Sequence, residues 1–287
     1  MNQSELDKTW IVDLIKDFIA NSPDNQLDNG TAEKAWDEPL IGFSAGNDPL
    51  YAEFKNHIGA FYWTPAELFA QTFPEAPAPA EELTIISWAL PHITQIKQDN
   101  RLETRLPSER WARARGVGDK ANTMLRKQLV ASLAAKGHKA LAPDLSPLKR
   151  SGVSELYGRA SSWSERHAAF ASGLGTFGLC DGLITAVGKA VRCGSVLAHI
   201  NIPPTARPYQ DHHAYCLHYA RGTCGKCIER CPVEALSREK GHDKEKCHAY
   251  LRNVTEGYIK TQFGVEAHAC GLCQTGVPCE SRIPLKA

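Results

Sequence analysis

The sequence predicts a mixed α/β chain that ends in a compact cysteine-rich module. Between residues 83 and 203, apolar and partly β-branched runs alternate with helical periodicities, an order typical of an α/β layer. None of the ten cysteines precedes Cys180, and eight of them lie between Cys216 and Cys279. A disulfide framework would staple the whole chain, so cysteines crowded into one stretch indicate a local metal or redox site.

Length and composition are those of an ordinary globular protein. The chain has 287 residues, of which 43% are hydrophobic and 23% are charged, and this length allows two domains. No apolar run approaches the roughly 18 residues that a membrane-spanning helix needs. The acidic N-terminus lacks the basic and then apolar layout of a secretory signal. We therefore expect a cytoplasmic protein with no membrane partner.

Residues 1–82 are expected to form an acidic, mainly helical N-terminal region. Trp10, Leu14 and Ile19 stand near helical spacing and predict an amphipathic helix over residues 5–21. Residues 35–73 are rich in aromatic residues and predict only short helices and turns. The stretch FPEAPAPAEE, residues 73–82, is a linker stiffened by alternating prolines. It marks the expected domain boundary.

Residues 83–205 form the predicted α/β domain. LTIISWAL (83–90) predicts a buried strand, and the leucine spacing from Asp119 to Lys136 predicts a helix that Gly137 ends. KALAP predicts another strand. The next predicted helix is capped by Ser164 and ends at Gly173. GLITAV and VRCGSVLAHINIP predict further strands. Residues 206–287 remain as a separate cysteine-rich domain.

Charge is distributed unevenly along the chain. Residues 1–82 carry a net charge of −11, and residues 83–287 carry a net charge of +12. Basic residues are dense between Arg101 and Lys127. They could bind the phosphate of a cofactor, an RNA backbone or the acidic N-terminal region. Charge alone leaves these three alternatives open.

The stretch TCGKCIERCP, residues 223–232, carries the main chemical signal. Bacterial ferredoxins use the run C-x2-C-x2-C-x3-C-P, in which three thiolates bind one iron–sulfur cluster and the last binds another. Cys224, Cys227 and Cys231 match the last three positions, whereas Arg221 occupies the first. Cys216, further upstream, is the predicted substitute.

The eight clustered cysteines are the number that two [4Fe–4S] clusters require. In the ferredoxin run, the last cysteine binds the other cluster. If Cys231 and Cys279, the last cysteines of the two runs, do the same here, two quartets result. The first cluster site then consists of Cys216, Cys224, Cys227 and Cys279. The second cluster site consists of Cys231, Cys247, Cys270 and Cys273. A zinc ribbon built from the CGKC and CGLC pairs is the alternative, but it would leave half of these cysteines unexplained.

The chain resembles the epoxyqueuosine reductase family and, more distantly, the reductive dehalogenases. The resemblance is carried by the cysteine quartets, by CHAYL around Cys247, by ERHAAFASGLGTFG (165–178) and by GSVLAHINIP. It implies an α/β (α+β) cofactor domain followed by a ferredoxin-like domain with two [4Fe–4S] clusters. It also implies a corrinoid (cobalamin) that the nearer cluster reduces.

Within the resemblance, GLGTFG supplies the candidate cofactor-binding residues Gly173, Gly175 and Gly178, because glycines let the backbone approach a flat cofactor or turn tightly. The candidate catalytic residues Tyr157, Arg159 and His167 surround the preceding helix and could deliver a proton or hold an anion. Surface roles are equally compatible with their positions.

Two departures indicate a divergent member. The tRNA-modifying reductases would carry an aspartate proton donor six residues before the Glu-Arg pair, where this chain has Arg159. Five residues instead of three separate Cys273 from Cys279, and Glu280 stands where a proline is expected. The sequence also leaves Cys180 and Cys193 outside the quartets, where a buried structural role is the default.

The expected function is that of an iron–sulfur oxidoreductase that receives electrons from a redox partner protein and acts on a small molecule or on tRNA. Two alternatives stay open at this point. One is a plain electron-transfer protein without a corrinoid, and the other is a tRNA epoxyqueuosine reductase with a changed proton donor.

Overall fold

The structure, a computed structural model, describes residues 3–28 and 30–285. Helices and strands are both distributed along the chain. The α-helices are α1 (Gln3–Asn21), α2 (Leu50–Ile58), α3 (Pro65–Thr72), α4 (Thr94–Leu102), α5 (Glu109–Ala135), α6 (Glu165–Ala171), α7 (Leu217–Arg221), α8 (Lys226–Glu229), α9 (Lys244–Tyr250) and α10 (Glu256–Phe263). Within the described ranges, none of these helices is long and apolar enough to cross a membrane.

The strands form one central sheet and three hairpins. They are β1 (Leu40–Ala45), β2 (Leu83–Pro91), β3 (Ala140–Leu141), β4 (Ser151–Ser154), β5 (Gly158–Ser161), β6 (Gly175–Phe177), β7 (Leu183–Thr185), β8 (Val191–His199), β9 (Leu236–Ser237) and β10 (Gly241–His242). The sheet has the order β1-β2-β8-β3, and every neighbouring pair is antiparallel. The hairpins are β4-β5, β6-β7 and β9-β10.

Helices cover both faces of the central sheet. Ile86 and Trp88 of β2 pack into a core with α1 and α5, whereas Ile85 and Ala89 pack into a second core with α2, α3 and α6. All nine residues of β2 are buried. This two-sided burial explains why the strand is a continuous apolar run without polar alternation. The prediction of a mixed α/β fold is confirmed.

Strand β1 lies in the segment for which the sequence predicted only short helices and turns. Its run LIGFSA is short, and it contains a glycine that strands disfavour. Gly42 is nevertheless required there, because a Cβ would lie 2.2 Å from the carbonyl oxygen of Ser172. Pairing of β1 with β2 makes the N-terminal region part of the central sheet.

Ion pairs join the acidic N-terminal region to the basic remainder. Lys120 contacts Asp24 at 3.1 Å, and Arg110 contacts Glu33 at 2.9 Å. Lys139 contacts Glu75, also at 2.9 Å. The sequence left three partners for the basic residues: a cofactor phosphate, an RNA backbone and the acidic N-terminal region. These ion pairs support the acidic N-terminal region.

His92, at the end of β2, is enclosed by aromatic rings. Its ring centre lies 4.2 Å from that of Trp36 and 4.3 Å from that of Trp111. Its Nδ1 is buried, and no hydrogen-bond partner for it exists among the described residues. Burial lowers the pKa of His92 to about 3, because charging the imidazole would require its desolvation.

This lowered pKa makes stability depend on pH. An unfolded histidine has a pKa near 6.5, so below roughly pH 6.5 the unfolded chain binds a proton that the folded chain does not. The stabilisation is complete above that pH and is lost as the pH falls toward 3. Replacement of His92 by phenylalanine keeps an aromatic ring in the stack and removes the group that binds the proton in the unfolded chain.

Between pH 6 and pH 4 we expect the wild type to lose about 1.4 kcal/mol more per pH unit than His92→Phe. Urea denaturation at a series of pH values measures this difference. His167, whose pKa is also lowered by burial, is present in both proteins and therefore cancels. Parallel stability curves for the two proteins would contradict the assignment.

Candidate metal centre

The eight predicted ligand cysteines lie on short helices and in loops of the C-terminal part of the chain. Cys216 caps α7, Cys224 precedes α8, Cys227 lies within it, and Cys231 follows it. Cys247 lies in α9. Cys270 precedes a single 3-10 turn, Leu272–Gln274, and Cys273 lies within it. Cys279 follows in the C-terminal loop. Short elements of this kind allow several thiols to converge from separate parts of the chain.

Four of these cysteines line one pocket. They are the members of the first cluster site: Cys216, Cys224, Cys227 and Cys279. The cavity has a volume of about 20 Å³, and its remaining wall includes Leu179, Ile184 and Val277. Soft thiolates around an apolar cavity suit an iron–sulfur cluster. The residues present therefore fit such a group.

At the second cluster site, Cys231 and Cys247 lie close enough to Cys270 to act on it electrostatically. Burial raises the pKa of the Cys270 thiol to about 12, and the nearby Cys247 and Cys231 act in the same direction. The sulfur of Cys231 accepts a hydrogen bond from the backbone N–H of Ala235 at 3.2 Å. Hydrogen bonds of this kind to sulfur are among the features that tune iron–sulfur clusters. Within residues 3–28 and 30–285, no group of three or more His, Cys, Asp or Glu side chains is arranged to hold a metal ion.

Glu280 explains how the lengthened second cysteine run is closed. Its carboxylate accepts hydrogen bonds from the backbone N–H of Gly276 at 2.6 Å and from Nε of Arg101 at 2.8 Å. Burial acts to raise its pKa, but these donors hold the pKa of Glu280 below its ordinary value. The expected proline could accept neither bond through its side chain. The carboxylate thus closes the longer loop and ties it to α4.

Arg230 fastens the cysteine module to α4. Its guanidinium donates to the carbonyl oxygens of Thr275 and Asn100 at 3.0 Å each, and to those of Leu272, Glu103 and Arg101. Arg230 directly precedes Cys231. These hydrogen bonds therefore fix Cys231, a predicted ligand of the second site, relative to α4.

The three candidate catalytic residues lie around the start of α9. Tyr157, half-exposed at the tip of the β4-β5 hairpin, has the Nζ of Lys244 5.7 Å from its ring centre. Arg159 forms an ion pair with Glu245 at 3.3 Å. His167 lies deeper, with Nδ1 2.7 Å from Ser164 Oγ, and burial lowers its pKa to about 3. His167 is thus neutral and cannot act as a proton-loaded acid near pH 7. The catalytic roles stay predictions.

The candidate cofactor-binding glycines lie at the end of α6 and in β6. Gly173 adopts a φ of +79°, and a Cβ there would lie 2.8 Å from the carbonyl oxygen of Ala206. A Cβ at Gly175 would lie 2.2 Å from the carbonyl oxygen of Ile184. Close backbone packing thus accounts for both glycines, and a Cβ at Gly178 would lie 3.3 Å from the side chain of Ile184. Binding of a corrinoid by these residues stays a prediction.

Sequence reasoning missed a buried carboxylate at the start of α6. Glu165 accepts hydrogen bonds from Arg126 Nη2 at 3.0 Å and from Ser195 Oγ at 2.6 Å. Burial raises its pKa, although Arg126 opposes this effect. The only signal in the sequence is an acidic residue in the first turn of a predicted helix. Long-range packing of α5 and β8 against α6 creates this environment.

Comparison with known proteins identifies the relatives of this chain. No family model matches the sequence. Over 120 residues the chain is 31% identical to an epoxyqueuosine reductase of Bacillus anthracis, an alignment that covers 40% of this chain and 29% of the relative. It is 33% identical over 125 residues to an epoxyqueuosine reductase of Gloeobacter violaceus, which covers 41% of this chain and 36% of that relative. The alignments thus span well under half the length of these curated relatives.

Solved structures share the fold at low sequence identity. A crystal structure of an epoxyqueuosine reductase with an epoxyqueuosine-modified tRNA stem loop matches with a TM-score of 0.53 and 18% identity, over 97% of this chain and 66% of that chain. A reductive dehalogenase structure matches with a TM-score of 0.50 and 13% identity, over 86% of this chain and 30% of that chain. In both sequence and fold, the chain is similar to the epoxyqueuosine reductases.

Proposed function

We propose that this protein is an iron–sulfur oxidoreductase that passes electrons through two [4Fe–4S] clusters to an acceptor in the α/β part of the chain. The observation that carries the proposal is the pocket lined by Cys216, Cys224, Cys227 and Cys279. The cysteine count and the ferredoxin pattern of exchanged cysteines group these four residues independently of the pocket. Their convergence on one cavity is what a cluster with four thiolate ligands requires.

The neighbourhood of the two sites supports electron transfer between them. The Cys180 sulfur lies 4.0 Å from the carbonyl oxygen of Cys273 in the second site, and hydrogen bonding with the thiols of Cys227 and Cys273 lowers the pKa of Cys180. One side chain therefore spans the gap between the quartets. Electrons would enter from a redox partner protein at one cluster and cross this short gap to the other. In this scheme residues 206–287 are the electron-transfer domain and residues 83–205 are the acceptor domain, to whose sheet residues 1–82 contribute β1.

The acceptor region that we propose lies where α6, the β4-β5 hairpin and α9 meet. Lys244 of α9 connects these elements, since its Nζ is 3.4 Å from the carbonyl oxygen of Arg159 and its charge acts on His167. A corrinoid is the candidate acceptor, because one structural relative is described as carrying out B12-dependent dehalogenation. When bound, a corrinoid supplies a reducible cobalt centre; this chain's side chains would supply charge and protons around it.

Metal content tests the two-cluster proposal directly. Anaerobically purified protein is expected to contain about eight iron atoms per chain and no stoichiometric zinc. Binding of added cobalamin, followed by its absorption spectrum, tests the acceptor separately. Zinc in place of iron would overturn the redox proposal, because zinc has no redox chemistry. Full iron without cobalamin binding would favour the plain electron carrier.

A second candidate function is reduction of epoxyqueuosine in tRNA with a changed proton donor. Glu165 favours it, since this carboxyl has a pKa raised by burial and lies six residues after the position where the family aspartate is expected. A raised pKa keeps a carboxyl available as a proton donor closer to neutral pH. Activity on epoxyqueuosine-containing tRNA that Glu165→Gln abolishes, with iron content unchanged, would support this function over the first.

A further inference from the structure

Lys189 is a buried lysine in the turn between β7 and β8. It is 2% exposed, and its Nζ lies 3.2 Å from the sulfur of Cys180. Its backbone N–H donates to the carbonyl oxygen of Cys279 at 2.7 Å. A buried ammonium group is costly unless negative charge or strong acceptors face it. The surroundings of Lys189 must therefore supply such groups.

Those groups are sulfur atoms. In the part of the chain that the structure describes, no carboxylate lies within ion-pair distance of Lys189. The charge of Lys189 is stabilised by the thiolate forms of four cysteines, Cys180, Cys279, Cys273 and Cys227. They include members of both cluster sites. Lys189 also lines the pocket of the first site, whereas Cys273 is the one member of the second site among these thiols.

The position of the ammonium is fixed by packing. A Cβ at Gly182 would lie 2.8 Å from Lys189 Cδ, so the glycine leaves just enough room for the lysine stem. Gly188, with a φ of +91°, presses against Glu280 and Ser281 and fixes the backbone from which the lysine starts. A mobile surface lysine would be screened by water, whereas this one is held in a low-dielectric interior.

We propose that Lys189 sets the reduction potentials of the two clusters. The inference rests on the proposed two-cluster function and goes beyond it by assigning a role to a residue that is not a ligand. Reduction adds negative charge to a cluster, and a fixed positive charge nearby stabilises the reduced form. Lys189 thus raises both potentials, and it raises that of the first cluster more. Cys180 serves as the acceptor that holds the ammonium.

The test compares midpoint potentials by redox titration followed with electron paramagnetic resonance. Lys189→Met keeps the length of the side chain and removes its charge. We expect both midpoint potentials to move to more negative values, with the larger shift at the first cluster and with iron content equal to wild type. Lys189→Gln is expected to shift the midpoint potentials in the same direction. Lys189→Arg keeps the positive charge, so its midpoint potentials are expected to stay close to those of the wild type.

Lys226→Met is the matched control, because Lys226 lies in the CGKC run but is exposed and paired with Glu229 at 2.7 Å. Its effect on either potential is expected to be much smaller. Neutral variants that retain all their iron and shift no more than Lys226→Met would overturn the inference. So would loss of iron from all three variants at position 189, since the lysine side chain itself, and not its charge, would then be needed for assembly. Failure of the two-cluster proposal itself would show in the wild type, as absence of iron.

Discussion

Replacing Cys216 by alanine is expected to remove about four of roughly eight iron atoms per chain and to leave the second cluster intact. Cys216 stands five residues before the position of the usual first ligand, which Arg221 occupies. It nevertheless lines the same pocket as Cys224, Cys227 and Cys279. Loss of one thiolate from a four-ligand site destabilises the whole cluster. Iron analysis of anaerobically purified protein, with electron paramagnetic resonance of the reduced form, measures the result.

Two further variants sharpen this prediction. Cys247→Ala is expected to remove the second cluster and to spare the first, so its resonance spectrum should complement that of Cys216→Ala. Cys193→Ala is the control, because burial raises the pKa of the Cys193 thiol to about 12 and keeps it protonated outside both quartets. A Cys216→Ala protein that keeps all its iron would show that another residue completes the first site.

Replacing Gly271 by alanine is expected to destabilise the cysteine module strongly and to reduce iron at the second site. Gly271 lies between Cys270 and Cys273, with a φ of +71°. A Cβ there would lie 2.0 Å from the indole of Trp111, closer than real contacts allow. Trp111 is held by the stack with His92 and cannot yield cheaply. We expect a loss of about 2–4 kcal/mol, the range typical of overpacking combined with backbone strain.

Gly264→Ala provides the matched control. Gly264 has a φ of +65° at the end of α10, and nothing lies within 4 Å of the Cβ that alanine would add. This variant carries the strain of a left-handed backbone without the clash, so about 1 kcal/mol is expected. Chemical denaturation and iron content of the two variants separate the contributions. Equal effects would mean that contact with Trp111 does not constrain the second site.

Local sequence patterns were sufficient for the long elements. The apolar run of β2, the helical periodicity within α5 and the capping residue Ser164 of α6 all lie where the sequence predicted them. Strand β1 was missed, because its pairing with β2 is a long-range event that a six-residue segment does not encode by itself. Helix α5 also begins ten residues before the predicted start at Asp119, since Ser108 caps it upstream of two glycines that weaken the periodic signal.

The sequence by itself determined the predicted ligand set, because cysteine spacing is local and each type of metal group needs a definite number of ligands. The same spacing groups the four cysteines that line the first pocket. Only the tertiary structure decided what surrounds them. The placement of Lys189 beside Cys180, the Glu280 closure and the buried carboxyl of Glu165 all depend on contacts between distant segments. Burial and electrostatics arise from those contacts, and no spacing rule along one chain can express them.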